Sequence, residues 1–265
     1  MSLRTLLTRD NHTVTDLALS DAPIPLSALA QAECVVLPIP AEIKPGILFA
    51  PFCPISIAIA DILDALRPDQ LLFAGKLSPA FYAEAAKRSL TPYDLLLREE
   101  FVIANAVPTA EGAVQLAMEH LPITIHRSRI LITGFGKVGQ CTAQRFRALG
   151  AQVSICARSA GQLALAESID CHPIPLSQME ANQVPFDLII NTVPSPVLTA
   201  KHLAAAQAPL LLELASPPGG FDPTAVQELG LQFISAQGLP GKVAPLTAAR
   251  IIQETLYHAL EELDF

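Results

Sequence analysis

A chain of 265 residues has room for two modest domains, each with its own core, and its 51% hydrophobic and 16% charged residues point to buried parallel sheets and an apolar subunit interface. The formal net charge of −8, with no run of Lys or Arg, excludes the basic face that nucleic acid needs. Five cysteines, Cys34, Cys53, Cys141, Cys156 and Cys171, show neither C-x-x-C nor metal-ligand spacing and read as reduced core residues of a cytoplasmic protein; the longest apolar stretch, Ile55 to Leu66, is broken by Asp61 and Asp64, so no membrane span or signal peptide is expected.

The first twenty residues are polar and weakly patterned, the profile of a short strand or an irregular arm. Glu33 to Leu37, closed by Pro38 and Pro40, reads as a buried strand with a loop at its carboxyl end. Ile47 to Ala50 is a short extended piece before the proline-rich residues 51–54. Ser56 to Leu66 has helical spacing, and Gln70 to Ala74 is the next strand. Ser78-Pro79 supplies a hydroxyl N-cap and a proline at the first helical position, opening a helix to about Ser89. Tyr93 to Leu97 is a third strand candidate. This alternation predicts a small parallel-sheet domain without a glycine fingerprint, suited to substrate contacts.

Asn105 to Gly112 introduces a helix reaching about His120, with Thr109 as its cap and Val114, Ala117, Met118 and Leu121 on one face. It is expected to connect the domains. Arg129 to Thr133 then runs straight into Gly134-Phe135-Gly136-Lys137-Val138-Gly139 and a helix ending at Leu149-Gly150. This is a dinucleotide fingerprint in its proper context. Gly134 supplies the tight turn, Gly136 lets a pyrophosphate approach the backbone, Gly139 lets helix and strand pack closely, and the helix N-terminus faces the phosphates. The competing reading keeps the glycines for packing alone. The next strand, Gln152 to Cys156, leads to Ala157-Arg158-Ser159, where an NAD-binding domain would place an acid on the ribose hydroxyls. Guanidinium and hydroxyl groups instead suit a 2′-phosphate, so the cofactor expected is NADP over NAD, unless Arg158 only stacks on adenine or points into solvent.

Beyond Arg158 come a helix from Ser159 to about Ile169, a segment Cys171 to Pro175, and a buried strand from Phe186. The polar exit of that strand, Asn191 and Thr192, with Val193 and Pro194, lies at the sheet edge where ligands bind. A helix near Thr199 to Ala206, a strand Leu210 to Ser216, the loop 217–220 and a last strand Leu231 to Ser235 follow. Gly238 to Pro245 then turns into a terminal helix, Leu246 to Leu263, expected to return over the first domain. The fold class expected is α/β with two Rossmann-like domains, the second a doubly wound parallel sheet carrying GxGxxG. Their expected limits are 1–108, completed by 245–265, and 109–244, including the connecting helix 109–120.

Taken together and in order, Asn105-Ala-Val-Pro108-Thr109-Ala-Glu111-Gly112, Gly134-Phe-Gly136-Lys-Val-Gly139, Ala157-Arg158-Ser159, Asn191-Thr192-Val193-Pro194-Ser195, Ala215-Ser216-Pro-Pro-Gly219-Gly220 and Gly238-Leu-Pro-Gly241-Lys-Val-Ala244-Pro245 resemble the A-subunit family of dipicolinate synthase. The resemblance runs from about Tyr93 to the C-terminus and is weaker before it, where the family's opening glycine-containing strand segment is not found. It implies a nicotinamide-dependent Rossmann oxidoreductase of sporulating bacteria that works with a flavoprotein, the B-subunit of that synthase. The implied reaction is dehydrogenation of a dihydrodipicolinate-type dicarboxylate to dipicolinate, the pyridine-2,6-dicarboxylate. The family pattern often has Arg where this chain has Pro217 and Lys where it has Leu246, leaving Lys242 to compensate for one of the two.

Such a reaction needs a hydride acceptor, which the cofactor supplies, and donors for two carboxylates. The substrate candidates are Asn105 through its amide, Ser216, the Gly219 and Gly220 amides, and Lys242, all placed on loops. Lys242, Ser216 and Glu111 are the catalytic candidates. Glu111 is open to two readings, a base or a helix-start residue that stabilises the helix through the macrodipole. The histidines are scattered and take no role, no metal site is expected, and a homo-oligomer is. Two alternatives stay open: a catalytically silent NADP-binding regulatory or partner-binding protein, and a dehydrogenase of another small carboxylate.

Overall fold

The computed structural model describes residues 3–17, 25–42, 44–51, 53, 55–181 and 184–265. The chain divides into two compact units, residues 1–102 with 249–265, and residues 103–248. Among the described residues no helix is long and apolar enough to cross a membrane, and no cluster of His, Cys, Asp or Glu could hold a metal ion.

The first unit begins with helix α1 (Leu3–Arg9). The strand or irregular arm expected over the first twenty residues is thus corrected for Leu3–Arg9, while residues 1–2 and 18–20 lie outside the described ones. Strands β1 (Cys34–Val36), β2 (Leu71–Ala74) and β3 (Pro92–Asp94) form a parallel sheet in that order, with α2 (Ile59–Asp64) and α3 (Pro79–Ala86) in the crossovers. Leu72, Phe73 and Ala74 are fully buried, as a central parallel strand covered on both faces requires. Ser78 caps α3, its Oγ accepting from the Phe81 amide at 3.1 Å, with Pro79 in the first turn. The third strand is shorter than expected because the Asp94 carboxylate accepts from the Leu96 amide at 2.8 Å and starts a 3-10 turn over Leu95–Leu97. Ile47 and Leu48 form only isolated bridges, to Ala58 and Glu42, and residues 52 and 54 of the proline-rich segment lie outside the described ones.

Helix α4 (Glu99–His120) corrects the expected helix start at Thr109: it runs 22 residues with Pro108 inside. Proline in a helix interior costs about 3 kcal/mol, and here an alanine stripe holds the helix together. Ala106, Ala110, Ala113 and Ala117 are all buried at helical spacing, and the Thr109 hydroxyl donates back to the Asn105 carbonyl at 2.7 Å instead of capping. Met118, expected on the buried face, is 56% exposed.

From Ile103 onward the chain belongs to the second unit, built on strands β4 (Arg129–Thr133), β5 (Gln152–Ala157), β6 (His172–Pro175), β7 (Leu188–Asn191), β8 (Leu210–Glu213) and β9 (Gln232–Ser235). All are parallel, in the order β6-β5-β4-β7-β8-β9, so the order reverses between β4 and β7. Helices α5 (Lys137–Ala148) and α6 (Ala160–Ser168) follow β4 and β5, and α7 (Ala200–Ala206) and α8 (Pro223–Glu228) follow β7 and β8. Both faces are covered. Ile130, Ile132, Leu188 and Ile190 pack with Ala143 and Phe146 of α5 on one side, while Leu131, Ile189 and Leu211 pack with Leu203 and Ala225 on the other. Full burial of a side chain such as Phe146 is worth about 1.5–3 kcal/mol, which is why these strands read as unbroken apolar runs. This is the doubly wound sheet expected.

The segment Gly238 to Pro245, expected as a loop, is in part helix α9 (Leu239–Val243), with Leu239 buried against α4 at Gly112. Helix α10 (Pro245–Glu262) closes the chain. From Ala249 it belongs to the first unit, where Gln253 Nε2 and Tyr257 Oη both donate to Asp10 Oδ2, at 2.6 and 2.7 Å, and Arg98 grips Glu262 with two bonds of 2.8 and 2.7 Å.

Candidate functional site

At the carboxyl edge of the larger sheet, where strand order reverses, lies a cavity of about 320 Å³. Three segments wall it: Gly134, Phe135 and Gly136 after β4; Ala157, Arg158 and Ser159 after β5; and Thr192, Val193 and Pro194 after β7. The three glycines differ in what a methyl group would meet. Gly134 turns with φ +83°, and a Cβ there would stand 2.7 Å from Thr192 Oγ1 and Val193 Cγ2. A Cβ on Gly139 would stand 2.5 Å from the Gly134 carbonyl oxygen, so this glycine sets how closely α5 approaches the strand end. A Cβ on Gly136 would meet nothing within 4 Å and would project into open space in the cavity wall. That open space beside the first turn of α5, where the amides of Val138 and Gly139 point toward the helix N-terminus, suits a pyrophosphate. The residues fit a dinucleotide on this observation.

Arg158 is exposed at the rim and makes no hydrogen bond or ion pair with a described residue. Ser159 is the N-cap of α6, its Oγ 3.5 Å from the Gln162 amide, which leaves its hydroxyl proton to donate elsewhere. Sequence reading missed Thr133, Cys156, Gln162, Leu176 and Val197, which complete the lining. Gln162, one turn into α6, is the one that its spacing from Ser159 could have flagged. Cys156 is no nucleophile, because burial pushes its thiol up to about 12.

Asn191, expected among the cofactor contacts, does not line the cavity. It is fully buried, accepts from Thr133 Oγ1 at 2.6 Å, and donates from Nδ2 to the Val193 carbonyl at 2.9 Å and to Glu213 Oε1 at 2.6 Å. Glu213, the buried acid to which Asn191 is bonded, was overlooked in the sequence reading. It is 4% exposed, and burial pushes its carboxyl above the usual glutamate range, against the pull of N–H donors from Gly220, Asn191 and Ala215. Its signal in the sequence is an acid closing the wholly apolar run Leu210-Leu211-Leu212.

The amides of Gly219 and Gly220, expected to bind a substrate carboxylate, are already committed. Gly220 donates to Glu213 Oε2 at 2.7 Å and Gly219 to the Ser216 carbonyl at 3.0 Å. The loop does cradle a carboxylate, but it is the protein's own. Asn105 and Lys242 stand in helices α4 and α9 and not on loops, correcting that placement; Lys242 is exposed in the last turn of α9, and Ser216 is exposed in its loop. Glu111 lies well inside α4, which removes the macrodipole reading, and its Oε1 is 3.6 Å from Arg145 Nη2 on α5. None of Asn105, Glu111, Ser216 and Lys242 lines the cavity. Of the histidines, His202 sits 3.0 Å from Thr199 Oγ1 at the start of α7 and His120 3.3 Å from Gln232, both away from it.

The profile of the N-terminal domain of the dipicolinate synthase A-subunit matches residues 10–96, the part where the sequence resemblance had looked weaker. The dipicolinate synthase A-subunit of Bacillus subtilis (strain 168) is 34% identical over 238 residues, covering 88% of this chain and 79% of that protein. The crystal structure of the dipicolinate synthase A-subunit from Bacillus halodurans is similar with a TM-score of 0.79 at 31% identity, over 88% of this chain and 80% of that one. The crystal structure of the same polypeptide of the Bacillus subtilis enzyme is similar with a TM-score of 0.79 at 32% identity, over 89% and 80%.

Proposed function

Since this chain belongs to the A-subunit family of dipicolinate synthase, we propose that it is an NADP-dependent oxidoreductase that converts a dihydrodipicolinate-type dicarboxylate to dipicolinate, in the cytoplasm and together with the synthase's flavoprotein B-subunit. One observation carries the reading: the cavity at the switch point joins a glycine turn with open space over Gly136 to an arginine, not an acid, at the end of β5.

The first-turn amides of α5 bind the pyrophosphate, with the helix dipole favouring its charge. Arg158 and the Ser159 hydroxyl hold the 2′-phosphate through charge-assisted bonds. Thr192, Val193 and Pro194 flank the second nucleotide, on the β7 side of the switch point. When bound, NADP supplies the hydride acceptor that ring aromatisation requires. Lys242 and Ser216 act in substrate binding, as cation and hydroxyl for a carboxylate. Their alanine variants then raise KM more than they lower kcat, because a contact made equally in ground and transition states acts on binding. Homo-oligomerisation belongs to the same reading, with Ile103, Val107 and Met118 exposed along α4.

The test is formation of dipicolinate, followed by its ultraviolet absorbance, from freshly generated substrate with NADP, with and without a B-type flavoprotein. A second reading, a silent NADP-binding partner protein, is favoured by one feature: the described cavity lining holds no carboxylate or imidazole, only Arg158 and the inert Cys156 thiol as ionisable groups. Binding of NADP without dipicolinate under any combination selects it.

A further inference from the structure

The polar row at the carboxyl edge of β4, β7 and β8 has no part in the chemistry above. Thr133, Asn191 and Glu213 are the last residues of their strands and stand side by side in register. They are 1%, 0% and 4% exposed. One residue earlier the same strands carry Ile132, Ile190 and Leu212, which fill the core without any desolvation cost. The polar row therefore adds direction, not packing.

Two loops hang on it. Asn191 holds the Val193 residue from both sides, accepting from its N–H at 3.2 Å and donating to its carbonyl at 2.9 Å. Thr192 is fixed alongside, its hydroxyl donating to the Thr133 carbonyl at 2.7 Å. Glu213 clamps the ends of the following loop, Oε1 accepting from the Ala215 amide at 3.0 Å and Oε2 from the Gly220 amide at 2.7 Å. The glycines there make room for it: a Cβ on Gly219 would stand 2.7 Å from Glu213 Oε2, and one on Gly220 would collide with the Asn191 amide. Through the 2.6 Å Asn191–Glu213 bond the two loops become one unit. That unit lies on the β7–β8 side of the switch point, the half of a dinucleotide site that takes the second mononucleotide, while Arg158 lies on the β5 side.

We infer that Glu213 is a positioning residue for the nicotinamide half of the site, acting through Asn191 on the Thr192–Pro194 wall. The inference rests on the NADP reading of the cavity. The carboxylate is held by donors: the Asn191 amide and the Gly220 and Ala215 N–H groups. Glutamine keeps the shape but turns one acceptor into a donor facing an N–H, so Glu213→Gln breaks either the Asn191 and Ala215 bonds or the Gly220 bond, and in both cases loosens the unit that carries the wall without emptying the space.

The experiment compares the full-length wild type and Glu213→Gln in binding NADPH and adenosine 2′,5′-bisphosphate, which carries only the adenine half. NADPH affinity falls at least about tenfold in the variant and that of the bisphosphate changes less than about twofold. The fluorescence of the NADPH that still binds, which reports the nicotinamide's surroundings, moves toward that of the free compound. Equal losses for both ligands, or no loss for either, overturn the inference while leaving the NADP reading in place. A wild type that binds neither ligand overturns both. If Glu213→Gln does not fold, Glu213→Asp, which keeps an acceptor-only head but withdraws it by one methylene, is read in the same two assays with the same criteria.

Discussion

Gly136 and Gly139 are three residues apart in one motif, yet the structure separates their roles, and alanine at each makes that separation measurable. Gly136 has φ −78° and ψ −169°, a backbone alanine adopts freely, and its added methyl would meet nothing within 4 Å. Gly136→Ala is therefore expected to leave stability unchanged or to raise it by up to about 1 kcal/mol, through the lower entropy of the unfolded chain. The same methyl fills the space over the α5 amides, so NADPH affinity falls by at least about 1.4 kcal/mol, a factor of ten. Gly139→Ala reverses the pattern. Its methyl would stand 2.5 Å from the Gly134 carbonyl oxygen and 3.2 Å from its carbon, both backbone atoms that yield only if α5 moves off the strand. Overpacking of this kind costs about 1–3 kcal/mol, and binding falls only because the helix shifts. The chain has no tryptophan, so urea unfolding is followed by circular dichroism and NADPH binding by the ligand's own emission. If Gly136→Ala binds NADPH as wild type does, or destabilises as much as Gly139→Ala, the cavity over Gly136 is not the pyrophosphate site.

Arg158→Ala should weaken NADP binding by about 1–3 kcal/mol and NAD binding little, since a charge-assisted bond to the 2′-phosphate is lost and no internal partner is disturbed; equal losses by calorimetry refute the assignment. The gap should narrow as salt rises, because Arg158 is exposed. Glu213 has its folded pKa raised by burial, so its contribution is fully present below the ordinary glutamate pKa and is lost as pH rises through the folded value. Urea titrations across that window should show wild type losing stability relative to Glu213→Gln as pH rises, and a constant difference refutes the burial argument. Asp10→Ala should destabilise the first unit by about 1–2 kcal/mol, because the Gln253 amide and the Tyr257 hydroxyl lose their shared acceptor and keep only their mutual 3.3 Å bond; thermal unfolding unchanged from wild type would show that Asp10 does not hold α10.

The features that the sequence determined by itself are those whose physics is local. The positive φ at Gly134, the open backbone at Gly136 and the approach of Gly139 to the Gly134 carbonyl are local, so Arg129 to Gly139 announces its own geometry, while the crowding of Gly134 by Thr192 and Val193 is tertiary. Ser78-Pro79 does the same for α3. The apolar runs of β4, β7 and β8 are equally legible, because a parallel strand covered on both faces must be apolar at every position. Tertiary structure decided the rest. Pro108 and Thr109 carry a local signal for a helix start, and the burial of Ala106, Ala110, Ala113 and Ala117 overrode it to give one continuous α4. Glu213 and Asn191 are 22 residues apart and meet only because β7 and β8 are adjacent and in register. The glycines 219 and 220 were misread for a different reason: their N–H groups suit a carboxylate, but the one that reaches the Gly220 amide is Glu213, seven residues back at the end of β8, and only the fold of the loop back over that strand end, against the buried Asn191 of β7, brings the two together.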